Sequence, residues 1–178
     1  LLLIFATACA PNVERLKKKG DVDKLIEIIE SDIGGYDDSV DAVIALGELG
    51  DKKAIEPLIE DLYYSSFGTG GNSYNEVIKE SLIILGENHP QEIIDYIIEA
   101  GLYKGGLSDE DLKRAIDLRE ILIKIGPLIV DPLLAAVSFN ENDYIEQYSL
   151  AVFSEIGPSI LPILEEAHNS DPESLFIK

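Results

Sequence analysis

Residues 38–60 read Asp38-Ser-Val-Asp-Ala-Val-Ile-Ala-Leu-Gly-Glu-Leu-Gly-Asp-Lys-Lys-Ala-Ile-Glu-Pro-Leu-Ile-Glu60. Val40, Val43, Ile44 and Leu46 fall on one stripe of a 3.6-residue helix, and Ile55, Leu58, Ile59 and Leu62 fall on another. Between the stripes stands Leu49-Gly50-Asp51. Helices commonly end on a left-handed residue, a conformation that Gly adopts without steric cost. A following Asp accepts backbone N–H groups at the start of the next helix. The stretch therefore predicts a helical hairpin closed at Gly50.

The same pattern recurs on both sides. Leu85-Gly86, Ile125-Gly126 and Ile156-Gly157 repeat the junction, and Lys19-Gly20-Asp21 is a fainter copy. The glycines lie 30, 36, 40 and 31 residues apart, which are the periods of helical-hairpin arrays. Pro90, Pro127 and Pro158 follow their glycines, where a fixed φ suits a first helical turn. First helices carry Val77, Ile78, Leu82 and Leu85, then Leu118, Ile121, Leu122 and Ile125. Second helices carry Ile93, Ile94, Ile97 and Ile98, then Leu133, Leu134 and Val137, then Ile160, Ile163 and Leu164. Ser73 with Glu76, Ser108 with Asp111 and Ser170 with Glu173 have the spacing of capping boxes. No stretch alternates with period two long enough for a strand. The expectation is an all-α chain of about five helical hairpins.

Residues 38–62 resemble a HEAT repeat of the subtype first noted in phycobilisome lyases, whose pattern runs D-x-x-V-R, A-L-G-x-L-G-D, A-x-x-P-L. Degenerate copies cover 75–100, 109–137 and 142–167, and Asn12–Ser31 reads as an incomplete first pair. Asp41 stands where the pattern has Arg, and the chain holds only three arginines. The resemblance implies an α-solenoid with right-handed superhelical sense over residues 11–178, its second helices lining the concave side. Their solvent stripe would then include Glu56, Glu60, Glu92, Asp95, Glu99 and Asp131. Some HEAT-repeat enzymes bind iron through His-Glu pairs. Neither His89 nor His168 is followed by Glu, so no catalytic, cofactor or metal site is expected.

Composition sets the class of partner. The chain has 178 residues, 46% of them hydrophobic, with 23 Leu and 25 Ile, enough for one sizeable core and too many for disorder. Against 14 Lys and Arg stand 34 Asp and Glu, a formal net charge of -20 spread over both halves of the chain. Nucleic-acid affinity comes from basic side chains displacing counterions from phosphates, so nucleic acid is a poor partner. A protein with a basic surface suits this chain better. No apolar run approaches the ~20 residues of a bilayer span.

Residues 1–10 read LLLIFATACA and hold Cys9, the one cysteine. A single cysteine excludes a disulfide scaffold. Phe5-Ala-Thr-Ala-Cys9 resembles the lipobox of bacterial lipoproteins, in which the cysteine is lipidated after cleavage; Ala6 replaces the usual Leu. Residues 1–10 are expected to be the remnant of a signal peptide with its lipobox. The protein is then exported and touches a membrane only through an anchor at Cys9. If the segment is instead a helix of a preceding repeat, the protein is cytoplasmic.

Two loops exceed the needs of the repeat: 63–74 (YYSSFGTGGNSY) and 101–107 (GLYKGGL). Both join a second helix to the next first helix, on one edge of the array. Loops and Tyr are favoured at interfaces, so Tyr63 and Tyr64 join the acidic stripe as candidate contacts. Asn140-Glu-Asn-Asp143 lacks the Gly of a calcium loop, and Gly68-Thr-Gly-Gly71 lacks the Lys of a phosphate loop. The expected function is a non-catalytic protein-interaction scaffold. The alternatives are an accessory of an enzyme or chromophore-lyase-like complex, and a fragment of a longer array.

Overall fold

A computed structural model describes residues 12–31, 35–64, 71–101, 109–139 and 143–170. The fold is all-α: ten helices stand among the described residues. They are α1 (Val13–Lys19), α2 (Val22–Ser31), α3 (Tyr36–Leu49), α4 (Ile55–Tyr64), α5 (Gly71–Asn88), α6 (Pro90–Glu99), α7 (Asp109–Ile125), α8 (Val130–Phe139), α9 (Asp143–Ile156) and α10 (Leu161–Ser170). Each helix packs on the next but one, and sequence neighbours such as α2 and α3 or α4 and α5 pack as well. One row runs α1, α3, α5, α7, α9, and the other runs α2, α4, α6, α8, α10, each helix touching the next of its row. Five hairpins thus lie side by side, and the buried apolar side chains form one continuous cluster between the rows. The expected pair at 12–31 is present with both its helices, the first of them short.

The junctions follow the expected chemistry with two corrections. Gly50 has φ 67° and its N–H reaches the Leu46 carbonyl, closing α3. Asp51 accepts from the Lys53 N–H at 3.0 Å and starts a short 3-10 turn, Lys52–Ala54, ahead of α4. Pro127 and Pro158 likewise open 3-10 turns, Gly126–Ile129 and Gly157–Ile160, rather than the second helices themselves. The first correction is Gly86. It closes nothing: α5 runs past it to Asn88. A Cβ there would run into the Ile125 side chain and come within 2.8 Å of Ile93 Cδ1. Gly86 is there for close approach of α6 and α7 to α5, the role Gly47 has between α3 and α5, where a Cβ would lie 2.9 Å from Ser81 Cβ. The residue that replaces Gly50 in this hairpin is His89. Its backbone, at φ -135°, needs no glycine.

The second correction is Ile44, which was expected on the buried stripe and is 41% exposed. Val43, Leu46 and the small Ala42 and Gly47 fill the interface instead. Two expected helix starts also shift. α5 begins at Gly71, so Ser73 lies inside it, and Ser170 ends α10 with its hydroxyl donating to the Glu166 carbonyl at 2.9 Å. Ser108 and residues 171–178 lie outside the described residues. The stretch Leu112–Phe139 is long and apolar enough to cross a membrane by length and composition, contrary to the sequence expectation. Here it is bent into α7 and α8 by the 126–129 turn, and half of its most apolar window is buried inside the fold, as a core hairpin requires.

Candidate functional site

The acidic residues expected on the second helices come together across one helix pair. α4 carries Glu56 and Glu60, and its neighbour α6 carries Glu92, Asp95 and Glu99. Spacings of three and four keep the residues of one helix on one face. The apolar side chains that set this orientation are Leu58, Ile59 and Leu62 on α4 and Ile93, Ile94 and Ile97 on α6, all buried. Glu56, Asp95 and Glu99 are exposed, while Glu60 and Glu92 are half-buried.

The two half-buried acids are tied down. The Tyr96 hydroxyl on α6 donates to Glu60 on α4, so the two helices are joined by a side-chain bond as well as by packing. Burial, then this bond and the charges of Glu60 and Glu56, hold the Tyr96 hydroxyl far above the usual phenol range. Lys52 donates to Glu92 at 3.0 Å, and that bond holds the Glu92 carboxyl below the usual carboxylate range. Asp95 accepts from Gln91 at 2.8 Å. Asp131, on α8, is exposed and one helix further along the row. Tyr63 and Tyr64 form the last turn of α4, but their side chains lie outside the described residues, as do Cys9 and residues 102–107.

Sequence reasoning missed the bonds that join one hairpin to the next. The His89 ring lies 2.9 Å from the Gly50 carbonyl through Nε2. Ser81 donates to the Val43 carbonyl at 3.1 Å. Lys79, 8% exposed, joins Glu76 on its own helix at 2.6 Å and Glu120 on α7 at 2.9 Å. Lys79 thus bridges the adjacent first-row helices α5 and α7. A lone Lys inside an apolar stripe, at Val77-Ile78-Lys79, was the signal.

Among the described residues no three His, Cys, Asp or Glu side chains are placed to hold a metal ion. His89 and His168 stand on separate hairpins. The arrangement offers fixed carboxylates on a rigid helical surface, which can attract and orient cationic groups. No family model matches the chain, and no curated protein or solved structure matches it either.

Proposed function

We propose that this chain is a HEAT-like solenoid, of right-handed superhelical sense, serving as a non-catalytic protein-interaction scaffold. It takes a basic segment of a partner protein on the carboxylates of α4 and α6. The observation that carries this reading is the juxtaposition of Glu56 and Glu60 with Glu92, Asp95 and Glu99 on two packed helices. Neighbouring helices lie about 10 Å apart, close to one Debye length at physiological salt. Repulsion between the two sets is only partly screened, and a cationic partner relieves it. A chain of net charge -20 also steers basic partners and repels acidic ones. The lipobox-like Phe5–Cys9 supports export and anchoring of this scaffold, and the mass of Cys9-containing peptides from the membrane fraction tests it.

The binding test uses a fluorescent Lys/Arg-rich decapeptide, titrated at low and high salt. The exposed acids are replaced as Glu56→Gln, Asp95→Asn and Glu99→Gln, which spares the tied carboxylates of Glu60 and Glu92. The expected result is slower association for the variant and a weaker salt dependence. Equal binding by both proteins at every salt concentration would make the carboxylates a solvated face only.

A further inference from the structure

Positions that bury an apolar side chain inside the array expose one on α9 and α10, the last of the described hairpins. Gly50 and Gly157, both left-handed, close α3 and α9. Seven residues before them stand Val43, fully buried, and Leu150, 48% exposed. Three residues before them stand Gly47, buried, and Ser154, exposed. In α3 these positions receive the next hairpin: Ser81 of α5 donates to the Val43 carbonyl at 3.1 Å and is the residue a Cβ at Gly47 would meet. The second row repeats the contrast. Ile55, Val130 and Leu161 each open a second helix; the first two are buried and Leu161 is 53% exposed. Scattered exposed leucines need no explanation. Leu150 and Leu161, however, hold the stacking positions of one hairpin, and the described residues place no helix beyond it.

The charge of this hairpin has one sign. Residues 143–170 carry five acids and no Lys or Arg, and Glu165 and Glu166 on α10 are exposed. The opposite end of the array differs. Residues 12–31 carry five Lys and Arg against five acids, so this hairpin is neutral in a chain of net charge -20. Asn12 lies eight residues before Gly20, as Ser81 lies eight before His89, and Ser81 is the residue that α5 turns toward the preceding helix. Arg15 and Lys19 follow Asn12 at spacings of three and four, on the same helical face, and both are exposed. A polar end cap accounts for the exposed acids of α10. It does not account for leucines at the stacking positions.

We propose that the α9–α10 face of one copy stacks on the α1–α2 face of a second copy, continuing the array head to tail. Leu150 and Leu161 are buried in this contact, and Glu165 and Glu166 lie against Arg15 and Lys19. Charge decides the pairing. Two α9–α10 faces would set acid against acid, which disfavours a closed dimer, whereas head to tail opposes unlike charges. A heterologous contact of this kind leaves a free face at each end, so assembly is open-ended. The face is about 21 Å long, the length of the 14-residue α9, and two helices wide. That is roughly 400 Å² a side, in the class of weak and transient interfaces. The contact is independent of the carboxylates proposed on α4 and α6, which belong to inner hairpins.

Sedimentation velocity of the full chain over a concentration series, at low and high salt, tests this. The wild type should grow past the dimer as concentration rises, and should do so less at high salt. A head variant (Arg15→Glu, Lys19→Glu) and a tail variant (Glu165→Lys, Glu166→Lys) should each associate about tenfold more weakly. Mixed in equal amounts, the two should associate like the wild type, because each altered face then meets its complement. That rescue also shows that both variants fold. Leu150→Gln with Leu161→Gln should weaken association at both salt concentrations. A wild type that stops at a dimer strengthened by salt overturns the head-to-tail contact, and so does association that the mixture fails to restore. A wild type that stays monomeric overturns it as well. If Leu175→Gln, Phe176→Gln and Ile177→Gln together then permit association, the occupant of the face is the chain's own segment 171–178 instead of a second copy.

Discussion

Two glycines with the same neighbour, leucine, do different physical work. Gly50 follows Leu49 and sits at φ 67° with no atom within 4 Å of where a Cβ would stand. Gly50→Ala therefore strains the backbone alone, and is expected to cost about 1 kcal/mol. Gly86 follows Leu85 inside α5, and a Cβ there meets Ile125 and Ile93. Gly86→Ala is an overpacking change and is expected to cost about 1–3 kcal/mol. The two are separable by a second-site change. Ile125→Val should recover part of the loss in Gly86→Ala and none of it in Gly50→Ala, as read by chemical denaturation. Residue type and neighbour alone do not distinguish these roles. Leu-Gly ahead of a polar residue looks alike in both places, and only the path of the next helix separates them.

Between elements, α5 and α7 are joined by a small ion network. Lys79 holds Glu76 and Glu120, and Lys124 holds Glu120 at 3.0 Å. Burial pulls the Lys79 pKa down, but its hydrogen bonds to Glu76 and Glu120 more than offset this and raise it. Bonds from Lys79 and Lys124 hold the Glu120 carboxyl below its usual range. Asp117, one turn before Glu120, goes the other way: burial first, and the charges of Glu120 and Glu76 against the pull of Lys79 and Lys113, push its carboxyl up. The signs oppose. Glu120 adds stability that is present above the ordinary glutamate value of 4.5 and is lost as pH falls through its lowered folded value. For Asp117 the added stability is present in full below 3.8 and is lost as pH rises through its raised folded value. Asp117→Asn is therefore expected to raise the melting temperature at pH 7 and to leave it unchanged below pH ~3. Glu120→Gln should lower it at pH 7. Each effect should stay below about 1 kcal/mol, because the carboxylates are partly solvated. A lower melting temperature for Asp117→Asn at pH 7 would contradict the assigned sign.

In the whole molecule, stability is expected to fall along the array. Each hairpin of such an array is held by its own packing and by its neighbours. α4 and α6 each bury several side chains almost completely, whereas no residue of α10 is buried. α10 should open locally at a free energy well below that of global unfolding. Native-state hydrogen exchange tests this: α10 amides should exchange by local opening, while α4 and α6 amides follow the global transition. Equal protection across the three helices would mean one cooperative unit. The proposed binding surface on α4 and α6 then lies on the most persistent part of the fold.

Much of this was written into the one-dimensional pattern. Apolar spacing at Val77-Ile78-Leu82-Leu85 and Leu118-Ile121-Leu122-Ile125 determined the helices and their buried faces, because the helical period is a local property. Turn chemistry at Gly50-Asp51, Gly126-Pro127 and Gly157-Pro158 determined where hairpins close, because a left-handed residue and a fixed φ act within one turn. The list of acids on α4 and α6 followed from the same spacing. Tertiary structure alone decided which of them are tied, since Tyr96 reaches Glu60 and Lys52 reaches Glu92 across separations of 36 and 40 residues. It also decided that Gly86 is a packing contact and that Ile44 faces solvent. Such facts depend on which helices become neighbours and how closely they approach, and that is settled by the fit of whole surfaces rather than by any local run of residues.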